Sequence, residues 1–267
     1  MPENTEVVIY QHYCLPGVKR VLASGGSAFI GEIDDSTVLK YPLSPKGDMS
    51  RLDVERKLLQ TIGQHERIIQ LKGFSDKGLY LERALNGNLY QYLVESENPL
   101  PPMRQRLSWC REAAEAVSVV HAKRIIHCDI QPANLLLDGE LHVKLSDFQG
   151  KLLSHDGTVL LDGWSSEPTR FYRPRADHSD ANVQTDLFAL GCTIYFIIKG
   201  HAVFPDIQNE DDQWHEKVQK KFEKHQFPND LPVFADLVRK CWIGEYKSSE
   251  ELLAEMAAVE AAQGETF

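Results

Sequence analysis

Two aspartates and an asparagine lie close together near the middle of the chain, in types that suit the handling of a proton and a metal ion. Asp129 ends the triplet His127-Cys128-Asp129, Asn134 follows five residues later, and Asp147 follows after thirteen more. A carboxylate can accept the proton of an attacking hydroxyl, and carboxylate and amide oxygens are ligands for Mg²⁺. Phosphoryl transfer needs residues of these types, although Asp and Asn are also common turn residues.

A single basic side chain, Lys40, interrupts the otherwise apolar run at residues 37–41. An ammonium group is costly to bury without a partner. The run therefore predicts that Lys40 has a carboxylate partner and a phosphate partner. A solvated surface lysine is the alternative interpretation.

The central motif resembles the catalytic and metal-binding loops of the eukaryotic protein kinase family. It reads H-C-D-I-Q-P-A-N and is followed by Asp147-Phe148, where the family has H-R-D-x-x-x-x-N and D-F-G. The resemblance implies that Asp129 orients the substrate hydroxyl and that Asn134 and Asp147 hold Mg²⁺. It also implies that Lys40, paired with Glu55, grips the α- and β-phosphates of ATP.

The same resemblance implies a nucleotide site made of a phosphate-facing turn, apolar walls around the adenine and a hinge that binds through its backbone. In that order, the residues are Gly25 and Gly26; Ile30, Val38 and Leu136; and Glu82 and Ala84. The glycines do not spell G-x-G-x-x-G, so a plain hairpin turn is a serious rival interpretation of that segment.

Further matches extend the resemblance over roughly residues 18 to 260. The stretch from Thr169 to Pro174 resembles the end of an activation segment, and Thr169 supports a Ser/Thr assignment by resemblance. Thr169 and Gln131 are counted with Asp129 among the candidate catalytic residues. Asp186 begins a helix-like stretch and would brace the catalytic loop through backbone amides.

The chain departs from the family pattern at several positions. Cys128 replaces an arginine, which argues against activation by loop phosphorylation, and Gln131 replaces a lysine, which weakens charge stabilisation of the γ-phosphate. Gln149 stands where a glycine is expected, which puts the Mg²⁺ geometry in question. Arg175 stands near the A-P-E glutamate and Lys247 near its arginine partner, so that family ion pair is not expected.

The elements that must position these residues change character along the chain. Short strands at residues 28–33, 37–41, 68–74 and 78–81 surround one helix at 50–62, for which Ser50 is a plausible N-cap. The first two strands are predicted to form a hairpin around Asp34-Asp35. The helix is predicted from three- and four-residue spacing of Leu52, Glu55, Leu58, Leu59 and Ile62. Helical stretches with loops between them follow at 102–123, 185–199, 214–224, 233–242 and from 248 to about 264. We expect an α+β fold with two lobes: an N-terminal antiparallel β-sheet lobe with one helix (18–84) and a mostly α-helical C-terminal lobe (85–260), together one domain over 1–267.

Composition narrows the classes of partner. The 267 residues carry a formal net charge of -10, which argues against nucleic acid and anionic membranes as partners. Five scattered cysteines and the lack of a signal-peptide pattern or a spanning apolar run favour an intracellular, cytoplasmic protein. The expected partners are a protein substrate and a regulatory protein.

Three functions fit these patterns. The first is an active protein kinase directed at Ser/Thr, and it is favoured because every group expected to contact nucleotide, metal or hydroxyl is present. The second is a pseudokinase that binds ATP, or nothing, and acts as a scaffold, as the changes at Cys128, Gln131, Gln149 and Arg175 suggest. The third is a small-molecule phosphotransferase on a similar fold.

Overall fold

The N-terminal part of the chain forms a five-stranded antiparallel sheet with one helix. In this computed structural model, which describes residues 13–96 and 99–264, the strand order is β1-β2-β3-β5-β4. The strands are β1 Val21–Ser24, β2 Ala28–Glu32, β3 Thr37–Pro42, β4 Leu71–Ser75 and β5 Gly78–Glu82, and the helix is α1 Ser50–Ile62. The predicted hairpin between β2 and β3 is confirmed, with Ile30 opposite Lys40.

The alternation of side chains along β3 decides where Lys40 points. Leu39 and Tyr41 pack with Phe29 in a small cluster on one face of the sheet. Val38 belongs to the main core on the other face. Because side chains alternate with period two, Lys40 lies on the Val38 side, toward α1.

Helix α1 buries the stripe that its spacing predicts: Leu52, Glu55, Leu58, Leu59 and Ile62. The prediction of Ser50 as the N-cap is wrong, because Ser50 is the first helical residue and Met49 occupies the cap position. The carboxylate of Asp48 accepts hydrogen bonds from the Ser50 amide (2.8 Å) and hydroxyl (2.7 Å). The strand predicted from residue 68 begins only at Leu71, since Ile68 pairs instead with Leu145 as an isolated bridge.

The C-terminal part is mainly helical, as predicted. Its helices are α2 Met103–Ala122, α3 Val183–Lys199, α4 Trp214–Glu223, α5 Ala235–Ile243 and α6 Ser249–Gly264. Helix α3 begins two residues before its predicted start, because Asn182 caps it and exchanges hydrogen bonds with the helix in a capping box. In the part of the chain that the structure describes, no helix combines the length and the apolar character needed to cross a membrane.

Five short strands lie where the sequence predicts loops between helices. A hairpin of β7 (Leu135–Leu137) and β8 (Val143–Leu145) separates Asn134 from Asp147. A second sheet, in the order β10-β9-β6, joins β6 (Ile125–Ile126), β9 (Lys151–Leu153) and β10 (Val159–Asp162). Segments of two to four residues are too short for period-two alternation to identify them.

Gly150, the residue before β9, lies very close to the backbone at the end of β6. A methyl group built on Gly150 would overlap the backbone carbonyl oxygens of Ile126 and His127, whereas one on Gly26 would meet nothing within 4 Å. We therefore predict that Gly150→Ala lowers the free energy of unfolding by at least about 2 kcal/mol because the backbone must move, and that Gly26→Ala changes it by less than about 1 kcal/mol. Urea unfolding of both variants measures this, and equal losses would contradict it.

Candidate active site

A buried lysine holds two carboxylates that come from distant parts of the chain. The Lys40 ammonium on β3 lies 2.5 Å from Oε2 of Glu55 on α1 and also contacts Oδ1 of Asp147, which follows β8. The Lys40 side chain is 8% exposed and that of Glu55 is fully buried, whereas that of Asp147 is 39% exposed. The cluster therefore joins the sheet, the helix and the loop that follows β8.

The charges in this cluster depend on one another. Burial opposes the charged form of Lys40, but the carboxylates of Asp147 and Glu55 outweigh it and raise its pKa. Burial also opposes ionisation of Asp147, yet the Lys40 ammonium outweighs it and lowers the pKa of that carboxyl. For Glu55 burial dominates over Lys40, so its pKa is raised.

An unusual backbone conformation at Asp147 directs its side chain away from that of the next residue, Phe148. Asp147 has a φ of +63°, in the left-handed region that non-glycine residues rarely adopt. Phe148 is buried, and its ring lies 5.1 Å from that of His127, centroid to centroid. The turn therefore places the Asp147 carboxylate on Lys40 while Phe148 anchors the segment in the core.

The loop after β6 brings Asp129, Gln131 and Asn134 together. One carboxylate oxygen of Asp129 accepts from Gln131 Nε2 (2.6 Å) and the other from Asn134 Nδ2 (2.8 Å). Burial raises the pKa of Asp129 to about 7, against the opposing effect of these hydrogen bonds from Asn134 and Gln131. The arrangement fixes a carboxylate that can accept a hydrogen bond from an acceptor hydroxyl.

Asp186, in the first turn of α3, fixes the backbone of that loop. Its fully buried carboxylate accepts hydrogen bonds from the backbone N–H groups of His127 (2.7 Å) and Cys128 (2.9 Å), which is the bracing that the sequence predicts. The carboxylate also lies 3.0 Å from Nε2 of His121 on α2. His121 has no sequence signal of its own, because its role depends on the packing of α2 against α3.

Gln149, which stands in the place of the expected glycine, packs against the Lys40 cluster. Its side chain is buried, and its Nε2 donates to Glu55 Oε2 at 3.4 Å. The resemblance expects a glycine at this position for its backbone freedom. In the structure the left-handed backbone conformation occurs at Asp147 instead, and the close approach to the Ile126 and His127 carbonyls is made by Gly150. The glutamine thus adds a neutral donor beside a buried carboxylate.

The residues predicted for the nucleotide differ in how they are placed. Val38 is buried, and Ile30 and Leu136 are partly buried against the main core. The backbone N–H of Glu82 donates to the Gln70 carbonyl (2.8 Å), and the Glu82 carboxylate forms an ion pair with the Lys144 ammonium (3.1 Å). The partly buried Ala84 follows β5.

The glycine pair forms a tight turn between β1 and β2. The N–H of Gly25 donates to the carbonyl of Ala28 (2.9 Å), and both Gly25 and Gly26 are exposed. This hydrogen bond closes the hairpin turn that the sequence left as the rival interpretation. The contact uses the Gly25 amide, so the phosphate-binding role predicted for this pair would fall to Gly26.

Thr169 does not meet the other candidate catalytic residues through its hydroxyl. That oxygen lies 2.5 Å from Nδ1 of His215 on α4, and the Thr169 carbonyl accepts from Gln219 Nε2 at 2.9 Å. Thr169 and Gln131 nevertheless line the same cavity. The catalytic role assigned to Thr169 by resemblance stays a prediction.

A buried ion pair between Glu167 and Arg175 stabilises the segment that contains Thr169. Arg175 donates to both oxygens of Glu167, with its shortest contact at 2.9 Å, and it also donates to the His178 carbonyl. The side chains of Glu167 and Arg175 are 0% and 10% exposed, and the guanidinium lies over the Tyr172 ring. The family's glutamate is thus replaced by an arginine. The carboxylate that pairs with it comes from eight residues earlier, a pairing that no motif predicts.

The two-lobed fold with these side chains between the sheet and the helical region is that of a protein kinase catalytic domain. A family model described as "Protein kinase domain" matches residues 38–259. The chain belongs to the protein kinase family.

Curated relatives agree with the family at low identity. The chain is 31% identical to L-type lectin-domain containing receptor kinase I.3 of Arabidopsis thaliana, over 51% of this chain and 22% of the relative. It is 25% identical to tyrosine-protein kinase Srms of Mus musculus, over 82% and 46% of the two chains. It is 29% identical to cyclin-dependent kinase 20 of Rattus norvegicus, over 60% and 47%. The chain therefore spans less than half the length of these relatives.

The Glu167 and Arg175 pair generates a prediction about stability. Arg175→Leu leaves a buried carboxylate without its partner and should cost about 3–5 kcal/mol in the free energy of unfolding. Adding Glu167→Gln should recover part of this loss, because the uncompensated charge is then gone. Chemical unfolding of both single variants and the double variant measures the coupling.

The control for this prediction is Arg20, whose side chain is 67% exposed and whose partner Glu32 (2.7 Å) keeps a second cation, Arg83, at 3.2 Å. Arg20→Leu should change stability by less than about 1 kcal/mol. A double variant at Glu167 and Arg175 that loses the sum of its two single losses would show that the pair is not coupled.

Proposed function

We propose that this protein is a serine/threonine protein kinase that transfers the γ-phosphate of ATP to hydroxyls of a protein substrate. The observation that carries the proposal is the proximity of two groups, Lys40 with Glu55 and Asp147, and Asp129 with Asn134. The backbone joins them, because Ser146, the residue before Asp147, donates its N–H to the Asn134 carbonyl (2.9 Å). Phosphoryl transfer requires a positioned acceptor, a cation on the phosphates and metal ligands beside them. The described side chains offer each of these.

ATP and Mg²⁺ fit the donor set. Asn134 commits its amide nitrogen to Asp129, so its oxygen is the atom available to a cation, and the Asp147 carboxylate is partly exposed and has a lowered pKa. Mg²⁺ is commonly held by one or two protein oxygens together with phosphates and water. Bound there, the ion would neutralise charge on the phosphates.

The remaining roles follow from the positions of the side chains. Asp129 would orient the acceptor hydroxyl and accept its hydrogen bond, and Lys40 would bind the α- and β-phosphates. Gln131 donates to Asp129 as a neutral amide. The resemblance gives this position to a lysine, so transfer is expected to be slow.

The choice of Ser/Thr over Tyr rests on the resemblance at Thr169 and on relatives. G-type lectin S-receptor-like serine/threonine-protein kinase LECRK4 of Oryza sativa subsp. indica is 32% identical over 55% of this chain. Srms is named a tyrosine kinase, and shkE of Dictyostelium discoideum a dual specificity kinase. Acceptor peptides that differ only in Ser, Thr or Tyr therefore have to be compared directly.

We also propose the domain organisation, cellular location and partners that the sequence predicts. Residues 18–84 and 85–260 would be the two lobes of one domain that acts in the cytoplasm on a protein substrate, under a regulatory protein partner. The ordered Glu167 and Arg175 pair favours a segment that needs no phosphate to adopt its conformation.

The second candidate function is a pseudokinase scaffold. Gln131 and Gln149 favour it, because each replaces a residue that supplies charge or backbone freedom in active relatives by resemblance. Such a protein would bind ATP without transferring its phosphate. Binding and transfer therefore have to be measured on the same sample.

The first prediction from this proposal concerns Asp129. Wild-type protein with labelled ATP and Mg²⁺ should phosphorylate itself or a generic basic protein. Asp129→Asn should lower that rate by at least about 10²-fold, because the amide lacks the negative charge of the carboxylate and cannot take the proton of the hydroxyl. A fluorescent ATP analogue should bind both proteins alike. Binding without transfer in the wild type, with Mg²⁺ and with Mn²⁺, would favour the pseudokinase.

The second prediction concerns Gln131. Gln131→Lys adds a cation beside the transferred phosphate and should raise kcat by on the order of 10-fold to 100-fold, by analogy with other preorganised donors. Gln131→Met keeps the length without the donor and should lower kcat below that of the wild type. Steady-state kinetics at saturating MgATP measures all three proteins, and identical kcat values for Lys and Gln at this position would refute the electrostatic explanation.

A further inference from the structure

A cavity of about 450 Å³ lies directly beside the catalytic loop. Gln131, Pro132 and Ala133 form one side of it and residues 168–171 form another. Gln131 also donates to Asp129 at 2.6 Å, so the cavity is continuous with the position of the acceptor hydroxyl. A segment whose hydroxyl lies on Asp129 must run past this opening.

The other walls of the cavity combine large apolar side chains with the polar side chains of residues 208–210. They include the ring pair of Tyr90 and Phe196, whose centroids are 5.8 Å apart, together with Val94, Ile207 and Trp214. Tyr90 and Val94 are 41% and 47% exposed, which is high for large apolar side chains. Exposed apolar surface around a concavity is characteristic of a binding site for apolar groups.

The one arginine among the lining residues is already committed to other partners. The Arg170 guanidinium is saturated by the carbonyls of Val203 (2.6 Å), Phe204 (3.0 Å) and Ile207, and it lies over the Trp214 ring. An acidic side chain in the cavity would therefore be desolvated without a pairing cation from Arg170.

We propose that this cavity binds a large apolar side chain, aromatic or long aliphatic, within a few residues of the phosphorylated hydroxyl of the protein substrate. The inference rests on the proposed function and adds the substrate class that it lacks. A volume of 450 Å³ is in the range of sites that enclose a small apolar group. Burial of such a group is worth on the order of 10-fold to 100-fold in kcat/KM over alanine.

The experiment begins with a peptide library that has Ser or Thr fixed at its centre and one varied position at a time on either side. Wild-type protein should select Phe, Leu, Met or Trp over Ala by at least about 10-fold at one position. The best apolar peptide and its alanine counterpart are then assayed with variants. The measured quantity is the ratio of kcat/KM for the two peptides.

Val94→Glu places a charge in the wall of the cavity, and we expect it to lower this ratio by about 10-fold or more. Val159→Glu is the matched control, because Val159 is 46% exposed, lies on β10 and does not line the cavity. That variant should leave the ratio unchanged.

Transfer to the library without an apolar preference would overturn the inference and leave the proposed function intact. An apolar preference that Val94→Glu does not reduce, or that Val159→Glu reduces equally, would overturn the assignment to this cavity. Absence of transfer to any library member, equal to that of Asp129→Asn, would overturn the proposed function and this inference with it.

Discussion

The site depends on one buried ammonium group that two carboxylates share. Lys40 cannot lie unpaired beneath the sheet, and neither Glu55 nor Asp147 belongs to its own strand. The pairing therefore requires α1 to pack with Glu55 inward and the segment after β8 to adopt the left-handed turn at Asp147. The sheet, the helix and the loop with Asp147 are in this way positioned by a single set of charges.

The departures from the family pattern are accompanied by local contacts that compensate for them. Arg175 finds its carboxylate in Glu167, eight residues away and buried, in place of a distant partner. Gln149 fills the space behind Glu55 and donates to it. Cys128 is buried without a charge, and the backbone of its loop is held by Asp186 instead. These contacts maintain the geometry of the site, whereas Gln131 brings only a neutral amide to the position where the resemblance expects a lysine.

The sequence predicted those features that depend on local periodicity or on a motif. The stripe of α1 and the β2 and β3 hairpin follow from spacing and turn residues, and a helix at α3 was predicted to within two residues of its start. Lys40, Asp129, Asn134 and Asp147 follow from motif and chemistry. The short strands β6 to β10 carry too few residues to show a period. The contacts of Glu167, Gln149 and His121 depend on tertiary packing that no spacing encodes, and the Thr169 hydroxyl lies on His215 because α4 packs beside it.

The measurement that tests the central claim most directly is MgATP binding by calorimetry to the wild type, Lys40→Met and Lys57→Met. Lys57 is the control because its side chain on α1 is 44% exposed and pairs only with Asp53 in the structure described. If the site is organised around Lys40, MgATP should bind the wild type and Lys57→Met alike, and binding to folded Lys40→Met should be weaker by at least about 10-fold, since the phosphates lose their cation. Equal affinity for all three folded proteins would contradict the account.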